Sequence, residues 1–147
     1  MNNFTKMLAI LVYYQHNFRI LHWNVKGKDF DQYHQLMKEY SDKLEEYVDQ
    51  IAEMAVMTND APVSFQTTVS ILTNDDSTAY YSADITDTYT SEMIVECIDI
   101  MFGHILTALK NLMDYHKVQN NPVIKTELEN MYAYFDKELN YKNKRRL

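Results

Sequence analysis

The chain has 147 residues, a formal net charge of −7 and only 2 glycines and 2 prolines to interrupt it. That length supports one domain with a core of its own. The negative balance argues against a protein that binds nucleic acid through its whole surface, and the absence of an apolar run of about 18 residues argues against a membrane span. The N-terminal MNNFTKML lacks the basic region and cleavage site of a signal peptide. The single cysteine, Cys97, sits in an apolar run and reads as packed core. A reducing, cytoplasmic location is expected.

Apolar residues recur at helical spacing from about Phe4 to Val25. At roughly 100° per residue, Phe4, Met7, Leu8, Leu11, Tyr14, Phe18, Leu21 and Val25 share one broad face, with His22 near its middle. Gly27 is placed to end this helix. A second helix is expected from about Phe30 to Met57, capped by Asp29 with Gln32 completing a capping box. Its stripe is Tyr33, Met37, Tyr40, Leu44, Val48, Ile51 and Ala55. On one flank lies a polar ridge of His34, Lys38, Asp42, Glu45, Asp49 and Glu53.

Residues 58–90 are rich in Thr, Ser, Asp, Asn and Tyr, and form a connection long enough to cross a domain. Within it, Ser64 to Leu72 fits a short helix or a strand. A third long helix is expected from about Ser91 to Lys117, on Ile94, Ile98, Met101, Ile105, Leu109 and Leu112. Asn121 followed by Pro122 starts a fourth, on Ile124, Leu128, Met131, Phe135 and Leu139. Two long helices, a long crossover and two more long helices give an all-α, four-helix bundle of ferritin-like topology. The many tyrosines and methionines fit core and subunit contacts, and the terminal KNKRR (142–146) reads as a solvated helix end that could touch phosphates.

The polar ridge carries the chemistry. His34 and Asp49 are 15 positions apart, about 22 Å along a helix axis, too far to share an ion within one chain. Two copies of the second helix set antiparallel across a two-fold axis change this. His34 and Glu53, like Lys38 and Asp49, then share a midpoint between Lys43 and Leu44. One chain's His34 would approach the other's Asp49 and Glu53, and symmetry would create two such sites. His22 lies a short turn from His34.

The run Leu21-His22-Trp23-Asn24-Val25-Lys26-Gly27, with Phe30 and His34 following and then Asp49 and Glu53, resembles the ferroxidase motif of the Dps family, ferritin-like proteins that protect DNA in starved or oxidatively stressed bacteria. The resemblance implies a shell of twelve subunits that binds iron at two-fold interfaces. His22 and His34 would come from one subunit, Asp49 and Glu53 from its mate, with Trp23 beside the site. Iron(II) would be oxidised, usually by hydrogen peroxide, and stored as ferric mineral. Mixed imidazole and carboxylate donors suit iron(II). No Glu is followed by His three residues later, the pair found in other di-iron carboxylate proteins.

Two departures from the family pattern matter. Where the family carries an aspartate four residues after the second histidine, this chain has Lys38. A protonated lysine cannot ligate a metal, so two readings stand. Iron binds to a site lacking one carboxylate, or Lys38 replaces the metal and the chain is an inert scaffold subunit. The family's lysine-rich N-terminal DNA-binding arm is also missing, which argues against DNA coating. His16, His104 and His116 match no motif and read as structural.

Overall fold

The computed structural model describes residues 3–60, 64–74, 80, 82–83 and 88–147. The rest of the expected crossover, including Tyr81, lies outside the described residues. Four long helices form: α1 (Asn3–Asn24), α2 (Phe30–Met57), α4 (Ser91–Met113) and α6 (Pro122–Lys137). Two short ones accompany them, α3 (Phe65–Thr73) and α5 (His116–Gln119).

The short α1–α2 turn is built around Gly27, whose φ of 121° suits a residue without Cβ. It makes α1 and α2 an antiparallel pair. Just beyond α1, Val25 pairs with Tyr89 in an isolated parallel bridge: Lys26 N–H donates to the Tyr89 carbonyl (2.8 Å) and Tyr89 N–H to that of Asn24 (3.0 Å). The start of α4 therefore sits at the α1–α2 turn, at the opposite end of the bundle from the end of α2. The connection from α2 to α4 must run the length of the molecule, which is why it is long. Ser64 caps α3 by accepting from Thr67 N–H, and the segment left open between helix and strand is a helix.

The apolar stripes meet in one core. Every position expected on the inner faces of α4 and α6 is buried, as is the α1 face from Phe4 to Val25. Ala9, Ile10 and Ile20 of α1 are buried too, because α3 and α4 cover flanks that α2 leaves open; a helix covered on several sides is apolar nearly all round. The rings of Phe18, Tyr40, Phe102 and Phe135 stack edge-to-face or tilted through the centre, with centroids 4.7–5.5 Å apart.

Three expectations need correction. The Asp29 capping box does not form: Asp29 lies outside the extended conformation that an N-cap side chain needs and makes no cap bond. Its carboxylate accepts instead from Ser91 Oγ (3.2 Å), tying the starts of α2 and α4 together. The third long helix stops at Met113 and not at Lys117, because Lys117 Nζ and Tyr115 OH are drawn to Asp60 beyond α2 (2.8 and 3.0 Å). The terminal KNKRR is not wholly solvated. After α6 the chain widens into a π-helical turn (Glu138–Lys142) and then tightens into a 3-10 turn (Asn143–Arg145). This folds Arg146 back onto Tyr40 OH (2.9 Å) beside Glu138, with its side chain 11% exposed. Lys142, Lys144 and Arg145 remain exposed.

Candidate metal centre

His22 ends α1 and His34 lies in the second turn of α2. The α1–α2 turn folds them face to face, with ring centroids 3.8 Å apart and planes 18° from parallel. Each ring bonds the backbone of the other residue: His22 Nδ1–H donates to the His34 carbonyl (2.6 Å), and His34 Nδ1–H to the His22 carbonyl (2.7 Å). A carbonyl oxygen only accepts, so both Nδ1 atoms carry the proton, and in the neutral form of either ring the lone pair falls on Nε2. The fixed tautomer and plane are what a ligating histidine gains from such a bond. The His22 carbonyl lies in the last turn of α1, where no intrahelical donor remains, so His34 also caps that helix. Phe30 extends the stack, 4.8 Å from His34.

Lys38 lies one turn further along α2. Its ammonium donates to Asp42 Oδ2 (2.8 Å), while Arg19 of α1 reaches Asp42 Oδ1 (2.9 Å). Asp42 is four residues beyond Lys38 and His34 four before it, so the bond draws the lysine head away from the histidines. The Lys38 hydrogen bond, assisted by the charges of Lys38 and Arg19, holds the Asp42 carboxyl below the usual carboxylate range. The ridge showed Asp42 in the sequence at the spacing of a helical ion pair with Lys38. Arg19 carried no such signal, because its contact crosses between helices.

Asp49 and Glu53 lie further along the same face, exposed at the rim of a shallow apolar hollow with Ala52, Val56 and Met57. The structure thus brings His22 and His34 together and keeps the two acids apart from them within one chain. Among the described residues no three His, Cys, Asp or Glu side chains converge on a point that could hold a metal ion. Trp23 is 59% exposed beside the histidines and packs edge-to-face on His16, centroids 6.4 Å apart. His104 also has a partner that nothing in its sequence surroundings signals: Tyr14 OH lies 2.5 Å from its Nδ1.

A four-helix bundle with this crossover and a histidine pair between its first two helices defines a ferritin-like protein. Residues 2–141 match the family model of the ferritin-like domain, and the chain belongs to that family. Its fold is the one found in Dps proteins. Dps from Staphylococcus aureus superposes with a TM-score of 0.81 at 22% identity, over 97% of this chain and 90% of that one. The CAIP protein of Helicobacter cinaedi gives 0.84 at 17% identity, over 97% and 94%. A Dps protein from Bacillus brevis gives 0.79 at 17%, over 93% and 87%. At these identities the likeness is one of fold. No curated protein matches by sequence. Among the described residues no helix is long and apolar enough to cross a membrane.

Proposed function

We propose that this chain is a Dps-like mini-ferritin that binds iron(II) between paired subunits, oxidises it with peroxide and retains ferric iron inside a cytoplasmic homo-oligomeric shell of twelve. His22 and His34 of one subunit, with Asp49 and Glu53 of its mate, would hold the ion. The reciprocal His22–His34 bonding carries this reading. Two histidines that only filled space would not need both tautomers fixed and both Nε2 lone pairs left available.

The rival reading, an inert scaffold with Lys38 in place of the metal, needs the ammonium directed at the mate's Asp49. Its bond to Asp42 favours the iron reading. Anaerobic iron(II) titration followed by peroxide tests the choice. Stoichiometric uptake and a ferric absorbance rise, both lost in His34→Ala and Asp49→Ala, support it. No uptake, in an assembly indifferent to chelators, overturns it in favour of the scaffold. A gel shift at stated salt tests DNA contact through Lys142, Lys144 and Arg145, for which little positive surface is available.

A further inference from the structure

On the far side of α1 from the ridge, the buried Tyr14 and the half-buried His104 form a phenol–imidazole pair. Tyr14 is fully buried. Its hydroxyl lies 2.5 Å from His104 Nδ1, and the two rings are nearly parallel, 13° apart at 6.0 Å. Tyr80 packs against both, with centroids 5.4 Å from His104 and 6.3 Å from Tyr14. Tyr13 lies 5.9 Å from Tyr14. His104 and Tyr80 line a cavity of about 220 Å³ with Lys6, Ile10, Thr107, Ala108 and Asn111, so Tyr14 is buried yet one ring removed from solvent.

A phenol gives up an electron readily only if its proton leaves at the same time, because the oxidised phenol is a very strong acid. It therefore needs a neutral base at hydrogen-bond distance, fixed in the fold. Burial lowers the pKa of His104, which keeps the imidazole neutral and able to take that proton.

We infer that Tyr14 and His104 form a one-electron oxidation site, a place where an oxidising equivalent is trapped as a neutral tyrosyl radical. The step balances as follows. A one-electron oxidant of the hydroxyl-radical or high-potential metal-complex class takes one electron from Tyr14. The O–H bond breaks and its proton moves to His104 Nδ1, giving a phenoxyl radical and an imidazolium. A thiol or ascorbate-type reductant at the cavity returns an electron through Tyr80, and the proton goes back to the phenoxyl oxygen. The activity is separate from iron binding at the α2 ridge and does not require it.

The test uses the full-length, metal-free chain and supplies the oxidant from solution: photogenerated ruthenium(III) tris-bipyridine, with a cobalt(III) ammine quencher, freeze-trapped for electron paramagnetic resonance. Wild type should give a tyrosyl spectrum, most of which is lost in Tyr14→Phe. His104→Gln should lower the yield and shift the g-anisotropy, since the radical loses a charged hydrogen-bond donor; a merely structural histidine would not move that value. In wild type labelled with ¹⁵N-histidine, electron–nuclear double resonance should detect an exchangeable proton between the radical and a histidine nitrogen, a readout that needs no variant to fold. A Tyr14→Phe signal equal to wild type overturns the site, and a wild-type radical with no histidine-bound proton overturns the role of His104.

Discussion

Replacing Lys38 measures how far its charge governs the proposed iron site. Side chains four apart on a helix have Cβ atoms roughly 6 Å apart, and the pull of Asp42 keeps the Lys38 ammonium at least that far from an ion held by His34, so the energies that follow are upper values. In a water-like dielectric a pair of unit charges at roughly 6 Å is worth about 0.7 kcal/mol. Lys38→Gln removes one unit beside a divalent ion, about 1.4 kcal/mol, or about tenfold in Kd. Lys38→Asp changes two units, about 2.8 kcal/mol, or about a hundredfold. Asp42 stays paired with Arg19 in both variants, so the fold should persist. Oxygen-free calorimetric titration with iron(II), at fixed low salt, reads the series. Affinity should rise from wild type through Lys38→Gln to Lys38→Asp, and the gaps should shrink as salt screens them. Equal affinities in all three proteins would refute the argument, because an ion that ignores this charge is not bound at this ridge.

Other consequences can be checked directly. His34→Ala removes the bond to the His22 carbonyl and one face of the ring stack, so the metal-free protein should lose roughly 1–2 kcal/mol in urea unfolding; unchanged stability would mean the stack does not form in solution. Arg146→Ala leaves buried Glu138 with Tyr40 and the largely exposed Lys142 as partners. It should cost roughly 1–3 kcal/mol, and a variant as stable as wild type would show the tail to be detached. Burial raises the pKa of Tyr40 and Tyr134 well above 10 and that of Tyr47 to about 12. Protonated tyrosine is favoured in the folded state, so this contribution is complete below the unfolded value of 10 and is lost as pH rises towards and past 12. Ultraviolet phenolate titration should show a late fraction that ionises together with unfolding, and complete ionisation near pH 10 in a folded chain would contradict it.

The bundle was largely legible because its core repeats at helical period. Every position named from spacing on α4 and α6 is buried, though Phe102 and Leu106 of α4 are buried beside them without having been named, and α2 begins and ends where its pattern does. What escaped depended on contacts between elements. Asp29 sits where a cap belongs, but its carboxylate is taken by Ser91, 62 positions away. The end of α4 was lost to a cluster around Asp60, and the fold-back of Arg146 to a tyrosine on another helix. At the candidate site, the sequence offered His22 and His34 as two ligands on neighbouring helices. It could not show that each donates to the other's carbonyl, since that depends on the path of the turn between them. Lys38 illustrates the same limit in reverse. Its charge was plain, but its direction was settled by Asp42 and by an arginine on α1.

The clasp between Asn24–Lys26 and Tyr89 joins the start of α4 to the turn that follows His22 through two backbone hydrogen bonds. A shift of α4 along the bundle would therefore pull on the chain just beyond one of the two imidazoles.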